Sequence, residues 1–219
     1  MAQPALCLDL DGTLADSLPV MRAIYGAFLA HFGVQGCETE FQRLNGPPLR
    51  EICAILQQTY GLPGSVEALQ QRYSDLLKEA PQQILAADGA EQVLQRANQA
   101  GWQVWVVTSS SRSHALAWLQ QVGLSGWIAG VVGGDDVQHG KPHAEPYLRA
   151  LALSGAVPQH CLAVEDSVQG ATAALAAGVK TLLLAKQIPA SLEGMDGKLS
   201  LIPHFAALLD EGVLALPQG

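Results

Sequence analysis

Short apolar runs recur along the chain, and most end at a polar or glycine-containing turn that leads into a helical pattern. Five stand out: Ala5 to Leu8, Val104 to Val107, Gly130 to Val132, Cys161 to Val164 and Thr181 to Leu184. Between and beyond them, apolar positions at helical spacing predict helices at about Ala90 to Ala100, Ser113 to Val122, Ala144 to Ser154, Gln169 to Ala177 and Phe205 to Leu209. Buried strands alternating with helices are the mark of an α/β fold with a parallel sheet covered by helices.

One region breaks this rhythm. From about Leu18 to Ile84 no strand is evident, and helical spacing holds in Val20 to Phe32, Leu49 to Tyr60 and Val66 to Leu77. The economical reading is an all-helical insertion over residues 17–84, leaving 1–16 and 85–219 as one core domain. Its hinges fall near Ala15 to Pro19 and Ala80 to Asp88.

Composition narrows the class. A chain of 219 residues with 49% hydrophobic content buries a substantial core. The formal net charge of −8 argues against a broad electrostatic grip on nucleic acid or an anionic membrane, so an anionic ligand must be held by local groups. Cys7, Cys37, Cys53 and Cys161 are scattered, without zinc-site pairing or the density of a disulfide scaffold, which predicts a reduced, cytoplasmic protein. Nothing approaches the roughly 20 apolar residues that span a bilayer, and Asp9 and Asp11 interrupt the first apolar run where a signal peptide would continue.

The candidate chemistry sits at the ends of the apolar runs. Asp9, Leu10, Asp11, Gly12 and Thr13 follow the first run, at the edge where open parallel sheets place their ligands. Acids separated by one residue would face opposite sides of a continuing strand, but Gly12 lets the chain turn so that both can face one pocket. Paired carboxylates repel, and a hard divalent cation such as magnesium offsets that repulsion while leaving positions for water and phosphate oxygens. Glu165 and Asp166 end another run and could stand at the same edge. The bland alternative is that these acids only cap helices or end strands. The hydroxyls and N–H groups of Thr108, Ser109, Ser110 and Ser111, at a helix start, suit a phosphate. Lys141 sits in a loop fixed by Gly140 and Pro142.

In order and topological place, Asp9 to Thr13, Thr108, Lys141 and Glu165 with Asp166 resemble the four motifs of the haloacid dehalogenase superfamily, over essentially the whole chain. The resemblance implies a Rossmann-like three-layer core with an inserted type-one helical cap, as in phosphoglycolate phosphatases and beta-phosphoglucomutases. It also implies a magnesium-dependent phosphatase acting on a small phosphorylated metabolite. Asp9 would be the nucleophile and Asp11 the general acid and base. Asp9, Asp166 and the backbone carbonyl of Asp11 would hold magnesium. Thr108 and the N–H of Ser109 would bind the phosphoryl group, Lys141 would offset its charge, and Glu165 would act through a metal-bound water or by orienting Lys141. Asn45 and Arg50 in the insertion are candidates for contacting the rest of the substrate, although a solvated surface arginine is an equal reading of Arg50. His31, His114, His139 and His143 lie outside those motifs and read as surface or loop residues.

Three alternatives stand beside the phosphatase. A phosphomutase would return the phosphoryl group to a bound sugar phosphate, but the segment after Gly46 reads Pro47, Pro48, Leu49, with Arg50 one place later than mutases of this branch carry their phosphate-binding arginine. Hydrolytic dehalogenation needs neither metal nor the second aspartate, and Asp11 is present. A non-catalytic binding module is disfavoured because every motif position holds a chemically competent residue. Both monomer and homodimer are open, since Trp102, Trp118 and Trp127 could be either exposed or core.

Overall fold

The computed structural model describes residues 3–44, 47–79, 84–195 and 197–215. The first strand, β1 (Ala5–Leu8), is buried at every position. Leu6 and Leu8 pack into one apolar cluster and Ala5 and Cys7 into another. A strand can alternate in this way only at the centre of a sheet covered on both faces.

Around β1 the remaining strands are β2 (Gln103–Val107), β3 (Gly130–Val132), β4 (Cys161–Glu165), β5 (Lys180–Leu184) and β6 (Leu199–Ile202). All pair in parallel, in the order β3-β2-β1-β4-β5-β6. Chain order reverses direction between β1 and β4, so the crevice beyond their C-terminal ends is the expected ligand site. Helices α5 (Ala90–Gln99) and α6 (Arg112–Gln121) supply Val93, Leu94, Trp118 and Leu119 to the face that receives Leu6 and Leu8. On the opposite face, α7 (Glu145–Ser154) and α8 (Val168–Ala176) supply Tyr147, Leu151, Ala173 and Ala174. The result is the three-layer Rossmann-like α/β architecture.

Between β1 and α5 the chain forms α1 (Leu18–His31), α2 (Glu38–Arg43), α3 (Leu49–Tyr60) and α4 (Val66–Glu79). These helices have an apolar cluster of their own, centred on Phe28, Leu29, Cys53, Leu56 and Leu69. The segments entering and leaving this unit pair with each other: Asp16 N–H donates to Leu85 at 2.9 Å, and Ala87 N–H to Leu14 at 2.8 Å. Residues 80–83 of the second expected hinge lie outside the described residues.

Several elements differ from the sequence reading. The edge strand β6 and the short helix α2 were not expected, and Phe205–Leu209 is a 3-10 helix. Trp102 and Trp118 are buried, their indole N–H groups bonded to the carbonyls of Leu214 and Ile84 at 2.9 Å each, and Trp127 packs against the same core. Trp102 and Trp118 are therefore core residues, and Trp127 is half-buried. Among the described residues no helix is long and apolar enough to cross a membrane.

Candidate active site

Asp9 leaves β1 still tied to the sheet, its N–H donating to Val164 at 3.0 Å. The chain then folds into a tight loop in which the N–H groups of Thr13 and Ala15 both reach the carbonyl of Leu10, at 3.2 and 2.8 Å. Gly12 makes this possible with a φ of 84°, a left-handed conformation costly for any residue with a Cβ. A Cβ at Gly12 would also strike the Asp166 carboxylate. The loop and the end of β4 thus interlock, a contact the sequence reading of Gly12 as a turn did not include.

Carboxylate oxygens of Asp9, Glu165 and Asp166 lie within 4.8 Å of one another. Asp9 and Glu165 are buried and Asp166 is half-buried. Lys141 answers part of this negative charge, its Nζ donating to Asp9 Oδ1 and Glu165 Oε1 at 2.6 Å each and to the carbonyl of Val107 at 2.9 Å. Burial would lower the pKa of the Lys141 ammonium, but Asp9 and Glu165 beside it hold it above the ordinary lysine range. The Asp9 carboxyl is pushed well above its usual range, first by burial and then by Glu165 and Asp166, against the lowering pull of Lys141. One ammonium stands among three carboxylates, and among the described residues Glu165 Oε2 is buried with no hydrogen-bond partner. An all-oxygen donor set with excess negative charge fits a hard cation such as magnesium.

The remaining candidates divide. Asp11 is half-buried, and its Oδ2 accepts from Ser110 Oγ at 2.9 Å. Thr108 is buried at the end of β2, where its Oγ1 accepts from Ser110 N–H at 3.0 Å, and Ser109 follows it. Arg50 forms an exposed ion pair with Glu67 at 3.0 Å, on the surface shared by α3 and α4. Asn45 lies outside the described residues. His31, His114, His139 and His143 are all exposed.

Two participants escaped the sequence reading. Tyr147 of α7 donates to Glu165 Oε1 at 2.5 Å while its ring fills the core. An aromatic at helical spacing reads as core, so nothing in the sequence distinguished it. Ser110 was read only within a run of hydroxyls suited to a phosphate, and its bond to Asp11 depends on tertiary placement.

The insertion reaches this edge of the sheet, for a Cβ placed on Gly140 would lie 4.0 Å from Pro48 Cγ at the start of α3. Leu18, the first residue of α1, similarly packs on Gly12, 3.1 Å from where a Cβ there would sit.

Comparison with known proteins finds relatives over most of the chain. A phosphorylated carbohydrates phosphatase of Thermotoga maritima is 30% identical over 220 residues, covering 97% of this chain and 93% of its own. A phosphoglycolate phosphatase of Xanthomonas campestris is 32% identical over 183 residues, 81% of each chain. The crystal structure of a HAD family hydrolase from Deinococcus radiodurans, with bound phosphate and sodium, superposes with a TM-score of 0.72 at 25% identity, over 97% of both chains. The sequence profile described as haloacid dehalogenase-like hydrolase matches residues 6–184, and the chain belongs to that family.

Proposed function

We propose that this chain is a magnesium-dependent phosphatase that hydrolyses small phosphate monoesters through an aspartyl-phosphate on Asp9. The observation that carries the reading is the group of buried Asp9 and Glu165 with half-buried Asp166, at the C-terminal edge of a parallel sheet, with Lys141 bonded to the two buried acids. Asp9 and Asp166, with the backbone carbonyl of Asp11, would hold magnesium. Once bound, that ion neutralises the carboxylates and withdraws charge from the phosphoryl oxygens.

In this proposal a carboxylate oxygen of Asp9 attacks phosphorus, and the bond from phosphorus to the ester oxygen breaks. Asp11 delivers its proton to that departing oxygen, then takes one from the water that attacks the aspartyl-phosphate, releasing inorganic phosphate and restoring Asp9. The bond from Ser110 Oγ keeps Asp11 oriented for both transfers. Thr108 and the N–H of Ser109 hold the phosphoryl group, and Lys141 disperses its charge. Monoester hydrolysis is among the slowest uncatalysed reactions, so positioning and charge stabilisation together supply on the order of 20 kcal/mol or more.

The helical unit 17–84 acts as a cap that excludes water, an arrangement supported by the approach of Pro48 to Gly140. Sugar phosphates and phosphoglycolate are the substrates to try first, since the two relatives above are named for them. Four free cysteines, two of them fully sealed in the core, support a reducing cytoplasmic setting.

The test is release of inorganic phosphate from an aryl phosphate and a panel of metabolite phosphates, with and without magnesium, by the native chain and by Asp9→Asn. Metal-dependent turnover that the substitution abolishes is expected. A folded, magnesium-binding chain that turns over no ester would overturn the reading.

A further inference from the structure

The loop that presents Lys141 carries a second set of ligating groups. His139, His143 and Glu145 each place a ligand atom within 4.8 Å of the other two. The two imidazole centroids are 4.9 Å apart, and His139 Nδ1 lies 3.0 Å from Glu145 Oε2. Backbone bonds keep the three together. Gln138 N–H reaches Glu145 Oε1 at 2.8 Å, His139 N–H reaches Oε2 at 3.0 Å, and His143 N–H closes on the carbonyl of Gly140 at 3.0 Å.

We propose that this loop binds one divalent transition-metal ion of the zinc type through His139, His143 and Glu145. Two imidazoles and a carboxylate, with a water completing the shell, form a donor set suited to zinc and poorly suited to magnesium, which takes oxygen ligands. The reach is also right. Metal–ligand bonds of about 2.0–2.1 Å put the donors of a tetrahedral site about 3.4 Å apart, so the observed spread needs closing by little more than an ångström. Side-chain rotation can do this, because the His139 side chain is 65% exposed and His143 is exposed too. His143 Nδ1 accepts from Glu145 N–H at 3.1 Å. An ion would take over that lone pair, leaving to water an N–H of the first helical turn, where free donors are ordinary.

The two sites would differ in chemistry. Asp9, Glu165 and Asp166 offer carboxylate oxygen alone, whereas the loop offers nitrogen from residues two positions on either side of Lys141. An ion held there would staple the loop that delivers Lys141 to Asp9. The inference does not depend on the phosphatase reading, because it rests on donors that the proposed chemistry leaves unused.

The experiment is calorimetric titration of zinc chloride into the full chain in buffer saturated with magnesium, repeated with cobalt(II) to read its visible d–d bands. His139→Ala, His143→Ala and, because Cys37 is an exposed thiol, Cys37→Ser are titrated alongside. One zinc per chain is expected, with affinity reduced at least about tenfold in each histidine variant and unchanged in Cys37→Ser. The cobalt spectrum should vanish with the same two histidines. Absence of zinc binding, equal binding by the histidine variants, or loss of binding in Cys37→Ser would each overturn the proposal.

Discussion

Lys141 Nζ donates to Glu165 Oε1 across 2.6 Å, joining the loop after β3 to the last residue of β4. Both side chains are almost wholly removed from water, at 2% and 0% exposure, and the same ammonium serves Asp9. Removing one partner of a buried ion pair leaves the others charged and unsolvated, which costs about 3–5 kcal/mol. Lys141→Met should therefore destabilise the chain by about that amount in urea unfolding without divalent metal, as well as abolish phosphate release. A loss under about 1 kcal/mol would mean that the pair is solvated in the native protein.

The crowding of three carboxylates predicts how metal affects stability. An ion that binds only the folded state raises stability by RT ln(1 + [L]/Kd). The melting temperature of the native chain should rise with magnesium and fall back with chelator, and Asp9→Asn and Asp166→Asn should each flatten that response. The amide that Asp9→Asn puts in place of the carboxylate also could not form the proposed aspartyl-phosphate, so turnover should fall by at least about 10³-fold. A thermal-shift series against magnesium concentration reads the first effect independently of the second.

Gly12 and Gly61 form a matched test of what the Asp9 loop demands. Both have positive φ, 84° and 63°. A left-handed conformation costs an alanine roughly 1–2 kcal/mol, so both substitutions should destabilise. Only at Gly12 does the new Cβ meet Asp166, whereas at Gly61 nothing among the described residues lies within 4 Å. Gly12→Ala should lose activity and magnesium response together, while Gly61→Ala keeps both. Equal activity in the two variants would show that Asp166 can give way.

How much of this was legible in the sequence follows from where each signal came from. Asp9, Asp11, Glu165 and Asp166 stood out because pairs of carboxylates recur at the ends of two buried apolar runs, and Lys141 by its order and company among them. The strands buried on both faces announced themselves as continuous apolar runs. Edge strand β6 did not, since its middle residues Ser200 and Leu201 are exposed and only Leu199 and Ile202 are buried. Helix α2 has six residues and no buried position, so no apolar stripe marked it. Tyr147 and Ser110 show a different limit. Their partners, Glu165 and Asp11, are 18 and 99 residues away, and no local pattern encodes such a bond.

Tyr147→Phe isolates one such bond. The ring stays in the core and only the hydroxyl that donates to Glu165 is removed. A hydrogen bond to a charged group contributes about 1.5–3 kcal/mol, so a stability loss in that range is expected. Because Lys141 still holds Glu165 Oε1, turnover should persist at a reduced rate. Complete loss of turnover with full stability would mean that Tyr147 acts in the reaction and does more than position Glu165.

Gly170 gives the sharpest contest between two effects of opposite sign. It lies within helix α8, three residues after its capping Ser167, whose side chain accepts from Gly170 N–H at 3.0 Å. Helix propensity alone predicts that Gly170→Ala stabilises by about 1 kcal/mol. The added Cβ, however, would run into the Glu165 carboxyl group. That group cannot swing aside, because its Oε1 is fixed by Lys141 and Tyr147 and the whole side chain is buried. Overpacking of this kind costs about 1–3 kcal/mol and outweighs the propensity gain, so the variant should be less stable and should lose turnover as Glu165 is driven from Lys141. Equilibrium unfolding in urea decides the matter. A stabilised Gly170→Ala with full activity would show that Glu165 has room to move and that its bond to Lys141 is not a fixed part of the site.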